Sequence, residues 1–153
     1  MMKKTFNILR KGFVGVVWLI LLGAAIFPLV YRILNPADIE RREENLRTHF
    51  QAIEHPSGAT QLDFKIHSKV VKRWINAEYK HEHMSAIKIE QYYYQELTQQ
   101  GWVKKSVNQE TDKRFRVSTY KKGDYEIYVS PSKTGNSWSI GLNYRDFFGR
   151  FGL

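Results

Sequence analysis

The pattern of hydrophobic and polar residues begins with a long uncharged segment near the N-terminus. Residues Phe13–Tyr31 carry no charge. As a helix they would extend roughly 28 Å, close to the ~30 Å hydrocarbon layer of a bilayer. A soluble core helix would show one polar face, and this segment shows none. The pattern therefore predicts a transmembrane signal-anchor helix over residues 13–34, preceded by a basic tail over residues 1–12.

A cleaved signal peptide is the alternative interpretation of the same segment. Gly23-Ala24-Ala25 provides the small residues that a cleavage site needs. The apolar run continues beyond these residues to Val30, which signal peptides rarely show, so the anchor is favoured. The chain contains no cysteine, which excludes a lipid-modified N-terminal cysteine.

The charges on either side of the segment predict its orientation. The short tail carries four basic side chains, whereas the arginines that follow the segment are more widely spaced (the tail residues are Lys3, Lys4, Arg10 and Lys11). Because basic residues concentrate on the cytoplasmic side, we expect the tail inside and the domain outside. In a bacterium this means the inner membrane, with a periplasmic or extracytoplasmic domain.

A second helix is predicted directly after the span, over residues 35–54. Asn35 is a suitable N-cap and Pro36 suits the first helical turn. Apolar residues then recur at intervals of seven, four and three, at Ile39, Leu46, Phe50 and Ile53. This narrow stripe favours a helix packed on its own domain. A short coiled coil that forms a homodimer through residues 36–54 is the alternative.

Residues 55–153 show strand, strand, helix and then up to four more strands. Alternation predicts strands around Phe64 and around Ile75, with Leu62 and Ile66 sharing the buried side of Phe64. A helix follows Ser85 and ends at Gly101. The remaining strands form a meander. The predicted fold class is α+β, with one helix packed on an antiparallel sheet.

The predicted helix contains three consecutive tyrosines, Tyr92–Tyr94. At 100° per residue, only Tyr93 falls on the stripe that also contains Ile89 and Leu97. We therefore interpret the triplet as one core residue with two flanking residues rather than as a ligand-stacking motif.

Net charge adds little to this picture of the domain. The chain carries +9, but five of its 24 basic residues precede residue 36 and all 15 acidic residues follow it, so residues 36–153 carry +4. The high overall charge thus indicates membrane topology first, and an acidic partner only second.

Candidate catalytic chemistry is scarce in this sequence. There is no cysteine nucleophile, Gly-x-Ser-x-Gly elbow, phosphate-binding loop or His-Glu-x-x-His motif. We therefore expect a protein that is not an enzyme and has no cofactor. His67, His81 and His83 are the candidate metal ligands, but an exposed polar loop is the favoured interpretation.

A candidate binding surface lies on the predicted uncovered face of the sheet. Cationic and aromatic residues alternate there with the core positions, beside Ser137, Ser139 and Asn143; they are Lys104, Arg114, Arg116, Tyr120 and Tyr128. Tyrosine and arginine are frequent in protein interfaces, and the same composition occurs in single-stranded nucleic-acid binders. The C-terminal Phe147, Phe148 and Phe151 either dock on the edge of the core or contact a membrane or partner.

These observations predict a single-pass membrane protein whose small extracytoplasmic domain binds another protein, as an accessory or scaffold subunit of an envelope complex. A membrane-tethered immunity protein against a toxin is one alternative. A cytoplasm-facing nucleic-acid-binding domain is the other.

Overall fold

The order of helices and strands follows the predicted pattern. A computed structural model describes residues 2–105, 117–132, 136–146 and 149. The elements are α1 (Met2–Leu34), α2 (Pro36–Gln51), β1 (Thr60–Lys69), β2 (Lys72–Lys80), α3 (Ala86–Gln99), β3 (Val103–Lys104), β4 (Ser118–Lys122), β5 (Tyr125–Pro131) and β6 (Ser137–Tyr144). The six strands form one antiparallel sheet in the order β1-β2-β6-β5-β4-β3. The predicted α+β class is confirmed.

Helix α1 contains the apolar segment that is predicted to cross a membrane. Its Val16–Leu34 part has a mean hydropathy of 2.2 and is only 6% buried. Length and composition make this helix compatible with a single-pass or signal anchor, although a signal sequence near the N-terminus would have the same properties.

A single residue separates α1 from α2. Asn35 occupies the N-cap position of α2, as predicted, but its side chain makes no capping hydrogen bond. Its side-chain amide instead donates to the Tyr31 carbonyl at 3.1 Å. Pro36 occupies the first turn as expected. The Tyr31 hydroxyl donates to Asp38 Oδ2 at 2.8 Å across the break. The two helices are therefore linked by side chains as well as by backbone.

The apolar stripe of α2 packs on its own domain, as the favoured interpretation predicted. Leu46, Phe50 and Ile53 lie in the main core, and Ile39 packs with Val71 near the end of α1. The apolar stripe that a homodimer through residues 36–54 would use is therefore buried within the chain itself. The homodimer remains an untested prediction.

Helix α3 is capped and oriented as the sequence predicts. The Ser85 hydroxyl accepts a hydrogen bond from the Lys88 backbone N–H at 3.4 Å. Gly101 adopts a left-handed φ of 82°, which ends the helix. Tyr93 is completely buried, whereas Tyr94 is 49% exposed.

The core lies between the sheet and both domain helices, and the Tyr93 hydroxyl is at its centre. This oxygen accepts from Trp138 Nε1 at 3.0 Å and lies 2.8 Å from His55 Nδ1. The His55 ring in turn packs 4.1 Å from the Tyr79 ring. Burial lowers the pKa of His55 and raises that of Tyr93, which favours the neutral form of both side chains.

Strand β1 departs from the predicted alternation at one position. The pairing register with β2 shifts between Gln61 and Asp63, which leaves Leu62 57% exposed at a bulge. The expectation that Leu62 is buried with Phe64 and Ile66 is therefore wrong. The bulge also interrupts an edge strand that would otherwise present a regular row of backbone groups.

Candidate functional site on the uncovered face of the sheet

The structure divides the predicted partner-binding residues between the two faces of the sheet. Tyr128 lies on the uncovered face, as expected. Tyr120 is completely buried in the core beneath α3. The Lys104 ammonium lies on that same side, 5.9 Å from the centre of the Tyr120 ring. The predicted placement of Lys104 and Tyr120 is therefore wrong, and Arg114 and Arg116 lie outside the described residues.

The error arises from the phase of β3 and β4. Lys104 pairs with Tyr120, and residues that pair directly across antiparallel strands share a face. Burying the Tyr120 ring removes more apolar surface from water than burying the neighbouring Thr119 would. Val103 is consequently turned to the uncovered face, where it is 68% exposed.

A groove of about 660 Å³ lies on the uncovered face. Three rows of paired residues cross its floor, from β1 through β2 and β6 to β5. They are Asp63–Glu78–Ser139–Ser130, Lys65–Asn76–Gly141–Tyr128 and His67–Trp74–Asn143–Glu126. Because successive residues of a strand face opposite sides, the apolar neighbours of these residues build the core, while every residue of the rows except the buried Glu126 lines the groove.

In the middle row, the side chains of Asn76 and Tyr128 come together over Gly141. A Cβ atom at this position would lie 3.1 Å from Asn76 Oδ1 and 3.8 Å from Tyr128 Cδ2. The Asn76 amide and the Tyr128 ring thus approach each other above a residue that has no side chain. The result is a stretch of groove floor on which a hydrogen-bonding amide and a flat apolar ring lie side by side over the glycine.

Trp74 is held in place at one end of the groove. The His67 ring stacks on it with a centroid distance of 5.1 Å and an angle of 12°. The Lys72 ammonium lies 5.5 Å from the centre of the indole. Sequence analysis missed Trp74, although a tryptophan in the polar phase of β2, opposite Ile75 and Ala77, was the available signal.

A buried carboxylate lies beside the groove, on β5 at the end of the row that contains Trp74. Glu126 is 2% exposed and accepts from Lys105, from the Tyr128 hydroxyl at 2.7 Å and from Arg145 at 2.9 Å. Burial alone would raise the Glu126 pKa, but the hydrogen bonds from Lys105, Tyr128 and Arg145 outweigh it and hold that pKa at about 2. The charged carboxylate therefore orients the Tyr128 ring at neutral pH.

The three candidate metal ligands are not brought together. His67 stacks on Trp74 near the β1–β2 turn, whereas His81 Nε2 bonds the Ser57 carbonyl beyond the other end of the hairpin. Seven residues of β1, roughly 23 Å, separate His67 from Thr60, which pairs with Lys80. Within the described part of the chain, no three His, Asp or Glu side chains are grouped to hold a metal.

The aromatic C-terminal residues Phe147, Phe148 and Phe151 lie outside the described residues. The two residues that precede them, Arg145 and Asp146, are attached to the domain by their side chains. Arg145 binds Glu126, and Asp146 accepts a hydrogen bond from Arg42 of α2.

The groove offers two kinds of contact. The Asn76 and Asn143 amides each donate and accept hydrogen bonds, and the Trp74 and Tyr128 rings provide flat apolar surface. Comparisons of the chain with protein-family models, with curated proteins and with solved structures gave no match.

Proposed function

We propose that this chain is a single-pass membrane-anchored protein whose extracytoplasmic domain binds a segment of another protein in the sheet-face groove. The observation that carries the proposal is the groove on the face opposite α2 and α3, where the Asn76 amide and the Tyr128 ring lie together over Gly141. Binding, rather than catalysis, is the role proposed for this site.

The groove favours an extended polypeptide as the occupant. A peptide backbone presents alternating hydrogen-bond donors and acceptors. The Asn76 and Asn143 side-chain amides can pair with either, because each has a donor NH₂ and an acceptor oxygen. An apolar side chain of the partner would lie in the groove against the Tyr128 ring. The side chains lining this region are already oriented, since Trp74 is stacked and Tyr128 is hydrogen-bonded, which lowers the entropic cost of binding.

The anchor restricts where such a partner is found. With the basic tail in the cytoplasm, the groove would be exposed on the outer side of the membrane, and the partner would be a subunit of an envelope complex. Alkaline extraction of the membrane fraction tests the anchor, because a cleaved and released domain would leave the membrane.

Site-specific photocrosslinking tests the groove itself. Asn76 is replaced by p-benzoylphenylalanine in the full chain, expressed in the cells that naturally produce it. The same replacement at Gln91, an exposed residue of α3 on the opposite side of the domain, is the matched control. We expect a defined protein adduct from position 76 and none from position 91.

A groove-filling substitution completes the test. In Gly141→Leu the new side chain would push aside the side chains at positions 76 and 128 and project into the groove, so the adduct from position 76 should disappear. Gln95→Leu adds the same side chain on an exposed surface of α3 and should leave the adduct unchanged. If Gly141→Leu alters the circular dichroism spectrum, Asn143→Arg provides the block instead. An adduct that persists in the folded block variants would overturn the proposed site. Mass spectrometry of the adduct separates an envelope subunit from a toxin.

A further inference from the structure

We propose that the tip of the β1–β2 hairpin, residues 69–73, binds the headgroups of anionic phospholipids. This inference rests on the membrane anchoring proposed above and concerns a different surface from the groove. Its sequence, Lys-Val-Val-Lys-Arg, places two valines between cationic residues.

The tip lies at the level where the span leaves the bilayer. Val71 is 1% exposed and packs with Ile39 of α2, and Tyr31 packs against this pair. Tyr31 is three residues from the end of the candidate span at Leu34, or roughly 5 Å along the helix axis. A tyrosine at this position belongs to the boundary between hydrocarbon and headgroups, so the hairpin tip that touches it reaches the headgroup layer.

The tip is held in a defined shape by its own arginine. Arg73 is 8% exposed, and its Nη1 donates to the carbonyls of Lys72 at 3.1 Å and Val70 at 3.4 Å. These bonds support Val70 in a left-handed conformation with a φ of 44°, which is uncommon for a β-branched residue. Lys69 is consequently presented outward at a fixed turn.

The local charge balance is positive. Asp38 is engaged by Arg41 at 2.5 Å and by Arg42 at 2.6 Å. Glu43 lies 3.9 Å from Arg73 Nε and also pairs with Arg47. Lys69, Lys72 and the adjacent Arg32 add further positive charge close to the end of the span. Cations on this level attract anionic lipid headgroups within a Debye length of the surface.

Lipid binding at the tip would also orient the groove. Lys72 belongs to the tip and lies over Trp74 at the end of the groove. With the span as one attachment and the tip as a second, the domain would hold one face at a fixed angle to the membrane.

The test uses the absence of cysteine from the chain. Ser68→Cys, next to the tip on exposed strand β1, is labelled with a fluorophore. The full chain is placed in nanodiscs containing lipid with a nitroxide headgroup. One set contains phosphatidylcholine alone, and the other contains an equal mixture with phosphatidylglycerol. We expect stronger quenching in the anionic discs, and a loss of the difference at high salt.

Charge reversal identifies the residues responsible. Lys69→Glu with Lys72→Glu should lower the ratio of docked to undocked tip by at least roughly twentyfold, because each lysine near an anionic surface contributes a factor of about five. Lys80→Glu with Lys88→Glu changes the net charge equally, but Lys80 is roughly 26 Å along β2 from Lys72. This control pair should retain the quenching.

Equal quenching in both lipid compositions, or equal effects of the two charge-reversal pairs, would overturn the lipid site. The same result with an intact crosslink from position 76 would leave the proposed groove function standing. Release of the chain from the membrane by alkaline extraction would overturn both proposals.

Discussion

At the scale of single residues, the core contains a series of contacts between polar side chains. The Tyr93 hydroxyl accepts from Trp138 and contacts His55, which itself lies against Tyr79. Burial raises the pKa of Tyr79 to about 12. The Tyr93 hydroxyl and the Trp138 indole N–H are buried together, so removing one leaves the other unsatisfied at a cost of about 1–3 kcal/mol.

The partly buried position of His55 in this series makes folding stability sensitive to mild acid. Because burial lowers the pKa of His55 in the folded state, the unfolded chain binds the proton more readily at that residue. Its contribution is complete above the unfolded pKa of about 6.5 and is lost as the pH falls below that value. We expect the free energy of unfolding, measured with urea in uncharged detergent, to be lower at pH 5.5 than at pH 7.5.

Substitution assigns this pH dependence to a residue. His55→Gln should reduce the difference between the two pH values, while the exposed-site control His83→Gln should leave it unchanged. Some dependence should remain, because burial and the nearby Lys122 also lower the pKa of His49. An unaltered difference in His55→Gln would show that the acid sensitivity arises elsewhere.

At the scale of elements, helix α3 provides the clearest mutational test. Tyr93→Ala should lower the free energy of unfolding by roughly 3–5 kcal/mol, as expected for removal of a buried aromatic side chain. Tyr94→Ala should cost much less, because half of that side chain already faces solvent. Tyr93→Phe, which keeps the ring and removes the hydroxyl, should fall between them. Urea unfolding of the three variants measures these free energies. Equal losses in Tyr93→Ala and Tyr94→Ala, or a larger loss in Tyr94→Ala, would contradict the placement of Tyr93 on the buried face of α3.

The elements themselves were predictable wherever the apolar pattern was strong. Ile89, Tyr93 and Leu97 define one face of α3, and the alternation in β2 and β6 is equally clear. The apolar pattern failed to predict the orientation of β3 and β4. Val103 and Tyr120 are both apolar, but they lie on opposite faces of the sheet. Only the pairing of the two strands selects between the two orientations, and pairing is a long-range property.

The candidate site was less predictable than the fold. Tyr128 was placed on the correct face, but Asn76, Gly141 and Trp74 were not selected. These residues come from strands far apart in sequence and meet only because β6 pairs with both β2 and β5. The close approach of Asn76 and Tyr128 over Gly141 leaves no local signature, since Gly141 resembles any other glycine in a strand.

At the scale of the whole molecule, the proposed extracytoplasmic placement of the domain distinguishes the proposed protein-binding function from the nucleic-acid-binding alternative. Alkaline phosphatase fused after Leu153 should be active in a bacterial host, because the enzyme requires the oxidising periplasm, and a fluorescent-protein fusion at the same site should be dark. The positive-inside distribution of the tail is the physical reason. An inactive phosphatase together with a bright fluorescent fusion would contradict the extracytoplasmic placement and revive the nucleic-acid-binding alternative.

In the proposed membrane-anchored protein, the single-residue joint between α1 and α2 would hold the domain at a fixed height above the bilayer. A flexible linker would let the domain explore a radius of about 5–6 Å times the square root of its length in residues. Here Asn35 alone interrupts the helices, and the Tyr31–Asp38 hydrogen bond spans the break. The groove would then sweep a thin layer at one height above the bilayer. A membrane partner whose segment lies in that layer meets a high effective concentration, and one held farther out meets almost none.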